Sequence, residues 1–104
     1  MKGMGVSVGK VQGKARLIRG ERDFAKLVDG DILVTNITDP RMTIIINKSA
    51  GIICDIGGMT SHPAIISREL GIPAVVGTKS ATTILRDGLL LEIDGATGEI
   101  FSIE

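Results

Sequence analysis

The sequence predicts an α/β fold in which a mixed sheet of seven or eight short strands packs against two to three short helices. The apolar runs are short, and the core must come from Ile, Val and Leu because Phe24 and Phe101 are the only aromatic residues. The 14 glycines favour tight turns over long helices. The length, 104 residues, is that of one ordinary domain, so residues 1–104 are expected to form a single unit.

The first third of the chain has the pattern of β-structure. Apolar and small residues alternate over residues 6–9, and a strand is predicted over 14–19, after a turn at Gly13. A short helix is predicted over residues 21–27, because apolar side chains recur there at helical spacing. An apolar run at 32–34 is typical of a buried strand.

The remaining elements are bounded by start and stop signals. Asp39 is expected to cap a helix that begins at Pro40 and ends near Ser49. A second helix is predicted over residues 63–70, because Gly71 follows it as a stop signal. The other predicted elements are strands at 51–56 and 74–76, a segment at 81–85 that fits either a helical turn or a strand, and a hairpin of 89–93 with 99–103.

Composition argues against several function classes. The 12 Lys+Arg balance the 12 Asp+Glu, so no basic surface for nucleic acid or acidic membranes is expected. With no Trp or Tyr, a base-stacking surface is not expected either. The single cysteine, Cys54, lies in an apolar run and is predicted to be a buried structural thiol. One cysteine and an N-terminus without an apolar signal core favour a cytoplasmic location.

One segment, residues 57–63, combines features that suit a phosphate group. Two glycines and two hydroxyl residues, Thr60 and Ser61, precede the only histidine, His62, at the start of a predicted helix. A helix N-terminus offers free N–H groups, and glycines let the backbone approach an anion. Thr60 and Ser61 can cap the helix or donate to phosphate oxygens. A neutral imidazole is a nucleophile near neutral pH, so His62 can accept a phosphoryl group.

Other interpretations of these residues stay open. A histidine at a helix start is often a capping or packing residue, and Thr-Ser is an ordinary N-cap signal. A metal site is not expected, since one His and one Cys supply no ligand set. Asp55 is either an orienting group or a solvated residue at a strand end. Arg68 and Glu69 are predicted to be solvated helix residues.

The stretch GGMTSHPAIISRELGIPAVVGT, residues 57–78, resembles the phosphohistidine signature of the phosphoenolpyruvate-utilising enzymes. That family includes phosphoenolpyruvate synthase, pyruvate phosphate dikinase and enzyme I of the sugar phosphotransferase system. Similarity extends to residues 30–35 and 38–40 before the site, to an opening hairpin at 5–15, and to closing turns at 87–88 and 94–98. It therefore covers nearly the whole chain.

The resemblance implies a swivelling β/β/α domain that carries phosphate between two distant sites. His62 matches the phosphorylated histidine, and Thr60 matches a threonine that helps to position the phosphate. Gly57 and Gly58 match the paired glycines of the turn, and Ser61 is expected to add to the phosphate-binding pocket. The sequence departs from the family pattern where Pro63 replaces the usual alanine or threonine and where Cys54 replaces a common threonine.

The resemblance also implies partners. The sequence contains no ATP-binding module and no phosphoenolpyruvate-binding barrel, so we expect a carrier, free-standing or part of a larger enzyme. Its expected partners are ATP-binding or phosphoenolpyruvate-binding domains or proteins, which would hold Mg²⁺ and ATP or phosphoenolpyruvate, with no cofactor on this domain. Two alternatives stay open: a regulatory or interaction module in which His62 is never phosphorylated, and a hydrolase or lyase that uses His62 as general base.

Overall fold

Seven strands form a mixed sheet in the computed structural model, which describes residues 1–103. The strands are β1 Met4–Ser7, β2 Lys10–Ile18, β3 Ile32–Thr35, β4 Gly51–Cys54, β5 Ala74–Val76, β6 Leu90–Asp94 and β7 Ile100–Ser102. Their order is β1-β5-β4-β3-β2-β6-β7. The four strands from β5 to β2 run parallel, whereas β1, β6 and β7 join antiparallel. The predicted α/β class and mixed sheet are confirmed.

The helical segments are short, as predicted. They are 3₁₀ helices at Glu21–Lys26 and Pro40–Met42, and α-helices α1 Thr43–Lys48, α2 His62–Leu70 and α3 Ala81–Ile84. The Asp39 carboxylate accepts a hydrogen bond from the Arg41 N–H at 2.8 Å, which confirms the predicted cap. Helix α2 ends at Gly71, whose φ of 71° is left-handed and suits a residue without Cβ. Within residues 1–103, no helix is both long and apolar enough to span a membrane.

The two edges of the sheet are joined by the first residues of the chain. The Gly3 N–H donates to the Gly98 carbonyl and the Ile100 N–H donates to the Met1 carbonyl, each at 2.9 Å. These bonds connect the β1 end of the chain with the β7 edge, and the sheet curls into a half-barrel. The curl brings backbones very close, because a Cβ on Gly95 would lie 1.7 Å from the Ser7 carbonyl oxygen.

Apolar side chains of the described residues pack into two clusters on opposite faces of the sheet. Successive side chains of a strand point to opposite faces, so Ile52 and Cys54 of β4 join one cluster and Ile53 joins the other. The first cluster includes Ala64 of α2, and the second includes Ala81 of α3. Helix α2 is therefore anchored on one face of the sheet, and it begins after the carboxyl end of β4.

Two predictions for the N-terminal third were wrong. Gly13 is not at a turn, because β2 runs unbroken from Lys10 to Ile18. The glycine is needed inside the strand, where a Cβ would lie 2.6 Å from the Gly30 carbonyl oxygen. Residues 5–15 do not form a hairpin either, since β1 pairs with β5 and β2 pairs with β3 and β6.

Candidate functional site

The candidate site lies where the parallel strands β3, β4 and β5 end. Because these strands are parallel, their carboxyl ends lie side by side, and open α/β sheets bind ligands at that end of their strands. The chain after β3 leads to Thr38, and the chain after β4 leads through the loop 57–61 to His62, the first residue of α2. This end of the strands therefore brings together two segments that are far apart in sequence.

One ring nitrogen of His62 is held by a buried hydroxyl. His62 Nδ1 lies 2.7 Å from Thr38 Oγ1. Thr38 is only 3% exposed, whereas the His62 side chain is partly exposed. Among residues 1–103 the ring makes no other hydrogen bond, so Nε2 is left without a protein partner. The imidazole is oriented by the protein and is accessible from outside.

Cys54 is a buried thiol at the end of β4. Its side chain is fully buried, as predicted. Burial raises the pKa of this thiol to about 12, and the nearby Thr38 backbone N–H opposes that rise only in part. Cys54 therefore stays a neutral, unreactive group beneath the site.

The loop before α2 has a left-handed bend. Gly57 has a φ of 135°, and a Cβ there would lie 2.8 Å from Ser61 Oγ. Ser61 occupies the N-cap position of α2, but its hydroxyl donates to the Gly58 carbonyl at 2.7 Å instead of capping the helix. Thr60 is exposed and has no hydrogen-bond partner in the described part of the chain. The Ser61 hydroxyl thus shapes the loop, and the Thr60 hydroxyl is available.

Backbone N–H groups at the start of α2 are unoccupied. Pro63 has no N–H, and the Ile65 N–H donates to the Ser61 carbonyl at 3.0 Å. The N–H groups of His62 and Ala64, on either side of Pro63, have no acceptor among the described residues. Free N–H groups at the positive end of a helix dipole favour an anion.

Arg68 is exposed, as predicted, but its guanidinium also binds two backbone carbonyls. Its Nε donates to the Val6 carbonyl at 2.7 Å, and its Nη2 donates to the Met59 carbonyl at 2.6 Å. The side chain therefore connects α2 with β1 and with the loop before His62. Glu69 is exposed, as predicted.

Asp55 is buried, so the solvated role, one of the two predicted for it, is wrong. It is 6% exposed and accepts hydrogen bonds from Thr78 Oγ1 at 3.0 Å and from the Thr82 N–H at 3.2 Å. Asp55 follows Ile53 on the face of β4 that packs against α3, because side chains alternate along a strand. It orients these two threonines and makes no hydrogen bond to His62.

A carboxylate near the imidazole is neutralised by an arginine that the sequence did not single out. Asp39 follows Thr38 and accepts hydrogen bonds from Arg41 Nε at 3.2 Å and Nη2 at 3.0 Å. These side-chain bonds are the main reason that the pKa of Asp39 is lowered, and the hydrogen bond from the Arg41 backbone N–H lowers it further. Arg41 also binds Glu21, at 2.6 Å. Within residues 1–103, no cluster of three or more His, Cys, Asp or Glu side chains suits a metal ion.

Alanine substitutions at the two loop glycines are expected to have different effects. Gly57→Ala places a side chain at a left-handed φ and against Ser61 Oγ, so we expect the free energy of unfolding to fall by about 1–2 kcal/mol. Gly58→Ala is the matched control, because its φ is not left-handed and its Cβ would meet no atom within 4 Å. Its effect is expected to stay within about 0.5 kcal/mol. Urea unfolding of both variants measures the difference, and equal losses would contradict the role given to Gly57.

The sequence matches a known family over more than half of its length. The family described as PEP-utilising enzyme, mobile domain, matches residues 27–98. The chain belongs to this family. The mobile domain is 48% identical to the probable phosphoenolpyruvate synthase of Archaeoglobus fulgidus and 46% identical to the phosphoenolpyruvate synthase of Pyrococcus furiosus, each over 97% of this chain. These matches cover only 13% and 12% of the two relatives, whose remaining length lies outside the similarity.

Solved structures agree with this assignment. An NMR structure of an Enzyme I protein (nEIt) has a TM-score of 0.65 and 32% identity, over 77% of the mobile domain and 33% of that chain. A UPF0107 protein has a TM-score of 0.71 over 100% of this chain and 98% of its own, but at 16% identity it shows the fold alone. The resemblance to the phosphoenolpyruvate-utilising enzymes is therefore confirmed.

Proposed function

We propose that the mobile domain is a phosphoryl carrier in which His62 accepts phosphate on Nε2 and passes it to a partner active site. The observation that carries this proposal is the imidazole's geometry: Nδ1 is bound to the buried Thr38 hydroxyl, and Nε2 has no partner among residues 1–103. A carrier must present its group to other proteins, and the partly exposed ring meets that need. Membership of the PEP-utilising family supports the same chemistry.

The hydrogen bond between His62 Nδ1 and the Thr38 hydroxyl selects the reacting nitrogen. In neutral imidazole one nitrogen carries the proton and the other carries a lone pair. If Nδ1–H donates to Thr38 Oγ1, the lone pair is on Nε2. That lone pair attacks the donor's phosphorus, an N–P bond forms, and the bond from phosphorus to the leaving group breaks. Its electron pair goes to the leaving oxygen of ATP or phosphoenolpyruvate, or to the leaving nitrogen of phosphoramidate. The acceptor's oxygen later attacks the same phosphorus, and the N–P bond breaks to restore the lone pair.

The surrounding groups suit the bound phosphate. The free N–H groups of His62 and Ala64 and the exposed Thr60 hydroxyl are donors at the start of α2. Gly57 and Gly58 form the bend of the loop, and the Ser61 hydroxyl stabilises this conformation by donating a hydrogen bond to the Gly58 carbonyl. The Asp39 charge, which would repel a phosphate, is compensated by Arg41.

Partner domains would supply the rest of the reaction. Since the chain spans a small part of its relatives, we propose that ATP-binding and phosphoenolpyruvate-binding domains or proteins act as donor and acceptor. Mg²⁺ and ATP or phosphoenolpyruvate would bind there, where positive charge stabilises the transferring group.

The test is a phosphorylation assay in two arms, read by intact mass. The first arm uses phosphoramidate, a small chemical donor that needs no partner. The second uses ATP or phosphoenolpyruvate, with Mg²⁺ and a phosphoenolpyruvate synthase whose own mobile domain has been deleted. We expect one added phosphoryl group in each arm, labile in acid and stable in base, as a phosphohistidine is. No uptake in either arm would reject the carrier and favour an interaction module of the same fold.

A further inference from the structure

The guanidinium of Arg68 holds the loop before His62 against two other parts of the mobile domain. Arg68 is on α2, its Nε binds the Val6 carbonyl of β1, and its Nη2 binds the Met59 carbonyl. The same Nη2 lies 3.7 Å from Met59 Sδ. A planar guanidinium keeps its donors at fixed angles to one another, so these bonds set the distance of the loop from both elements.

Met59 depends on this contact. In the described part of the chain, its backbone makes no hydrogen bond other than the one from Arg68, and Thr60 makes none. The Met59 side chain is 55% exposed, so packing adds little restraint. The loop is otherwise fixed at its ends, by the bend at Gly57 and by the bonds from Ser61 to the Gly58 carbonyl.

We infer that Arg68 is a positioning residue for phosphoryl transfer, which rests on the proposed function. By holding the Met59 carbonyl, it fixes the peptide that leads into Thr60 and so keeps the Thr60 hydroxyl beside His62. Arg68 acts through Met59 and not by contact with the phosphate. Its Cα is six residues beyond that of His62, about 9 Å along the helix axis. Donors that are fixed before the reaction need no reorganisation when charge moves onto them.

The experiment compares Arg68→Gln and Arg68→Lys with a matched control, Arg22→Gln. Arg22 is exposed and makes no side-chain hydrogen bond with the described residues, so its variant removes the same charge without removing a contact. Phosphorylation of His62 by phosphoramidate and hydrolysis of the product are timed at a temperature where every variant is folded. Amide ¹⁵N order parameters of Met59 and Thr60 are measured without phosphate.

We expect Arg68→Gln to slow phosphorylation roughly 10-fold and to lower the order parameters of Met59 and Thr60. Arg68→Lys, which can reach one carbonyl but not both, is expected to give intermediate values, and Arg22→Gln to match the wild type. If Arg68→Gln does not fold, Arg68→Lys alone decides. Wild-type rates in the Arg68 variants, or slow transfer with unchanged order parameters, would overturn the inference. A wild-type protein that takes up no phosphate would instead reject the proposed function. The order parameters of Met59 and Thr60 would then still test whether Arg68 restrains the loop.

Discussion

Replacing His62 with alanine is expected to abolish phosphate uptake and to keep the fold. The chain has one histidine, so no other imidazole can replace it. The side chain is partly exposed, belongs to neither apolar cluster and makes a single hydrogen bond with the residues that the structure describes, to Thr38. Losing that bond leaves the Thr38 hydroxyl to be satisfied by water, so we expect the free energy of unfolding to fall by about 1 kcal/mol.

Intact mass after phosphoramidate treatment measures uptake, and circular dichroism with urea unfolding measures the fold. His62→Gln is the matched control, because its amide can still bond to Thr38 but has no nucleophilic nitrogen. Both variants are expected to remain unphosphorylated. Equal labelling of His62→Ala and wild type would show that the phosphate is attached elsewhere, and the assignment of His62 would fail.

The parts of the fold that depend on local backbone chemistry could be predicted from the sequence. The helix cap at Asp39 and the helix end at Gly71 each depend on residues within one turn of the chain. Both features were predicted correctly. Gly13 could not be predicted in this way. In the sequence it looks like a turn residue, but in the structure a glycine is needed because the Gly30 carbonyl, from another part of the chain, lies against it. Such contacts depend on which strands become neighbours, which a single sequence does not show. The single-domain prediction for residues 1–104 remains a prediction, and Glu104 lies outside the described residues.

The same distinction applies to the candidate site. The loop 57–61 and His62 are contiguous, so their spacing was visible in the sequence. Thr38 is 24 residues from His62, and the two meet only because β3 and β4 are adjacent in the sheet. Arg68 looked like an ordinary charged helix residue, since nothing local shows that β1 brings the Val6 carbonyl to it. The groups that orient the reactive side chain were therefore harder to predict than the side chain itself.

Thr38→Val is expected to slow phosphorylation of His62 on the order of 100-fold while keeping the fold. Valine has nearly the shape of threonine but no hydroxyl, so the buried site stays filled and the bond to Nδ1 is lost. The ring is then free to rotate, and its proton can move to Nε2, which removes the nucleophilic lone pair. The free energy of unfolding is expected to change by no more than about 1 kcal/mol.

Thr38→Ser is the control that separates the hydroxyl from the methyl group. Serine keeps the oxygen within reach of Nδ1, so its rate is expected to stay within about 5-fold of wild type even though a buried methyl group is lost. Imidazole ¹⁵N shifts of the unphosphorylated variants report the tautomer directly, and only Thr38→Val should lose the Nδ1–H form. If Thr38→Val and Thr38→Ser slow phosphorylation equally, the packing of the Thr38 methyl group determines the rate, and the hydroxyl does not select the reacting nitrogen. A Val variant with the wild-type tautomer and rate would mean that Nε2 is chosen by its exposure alone.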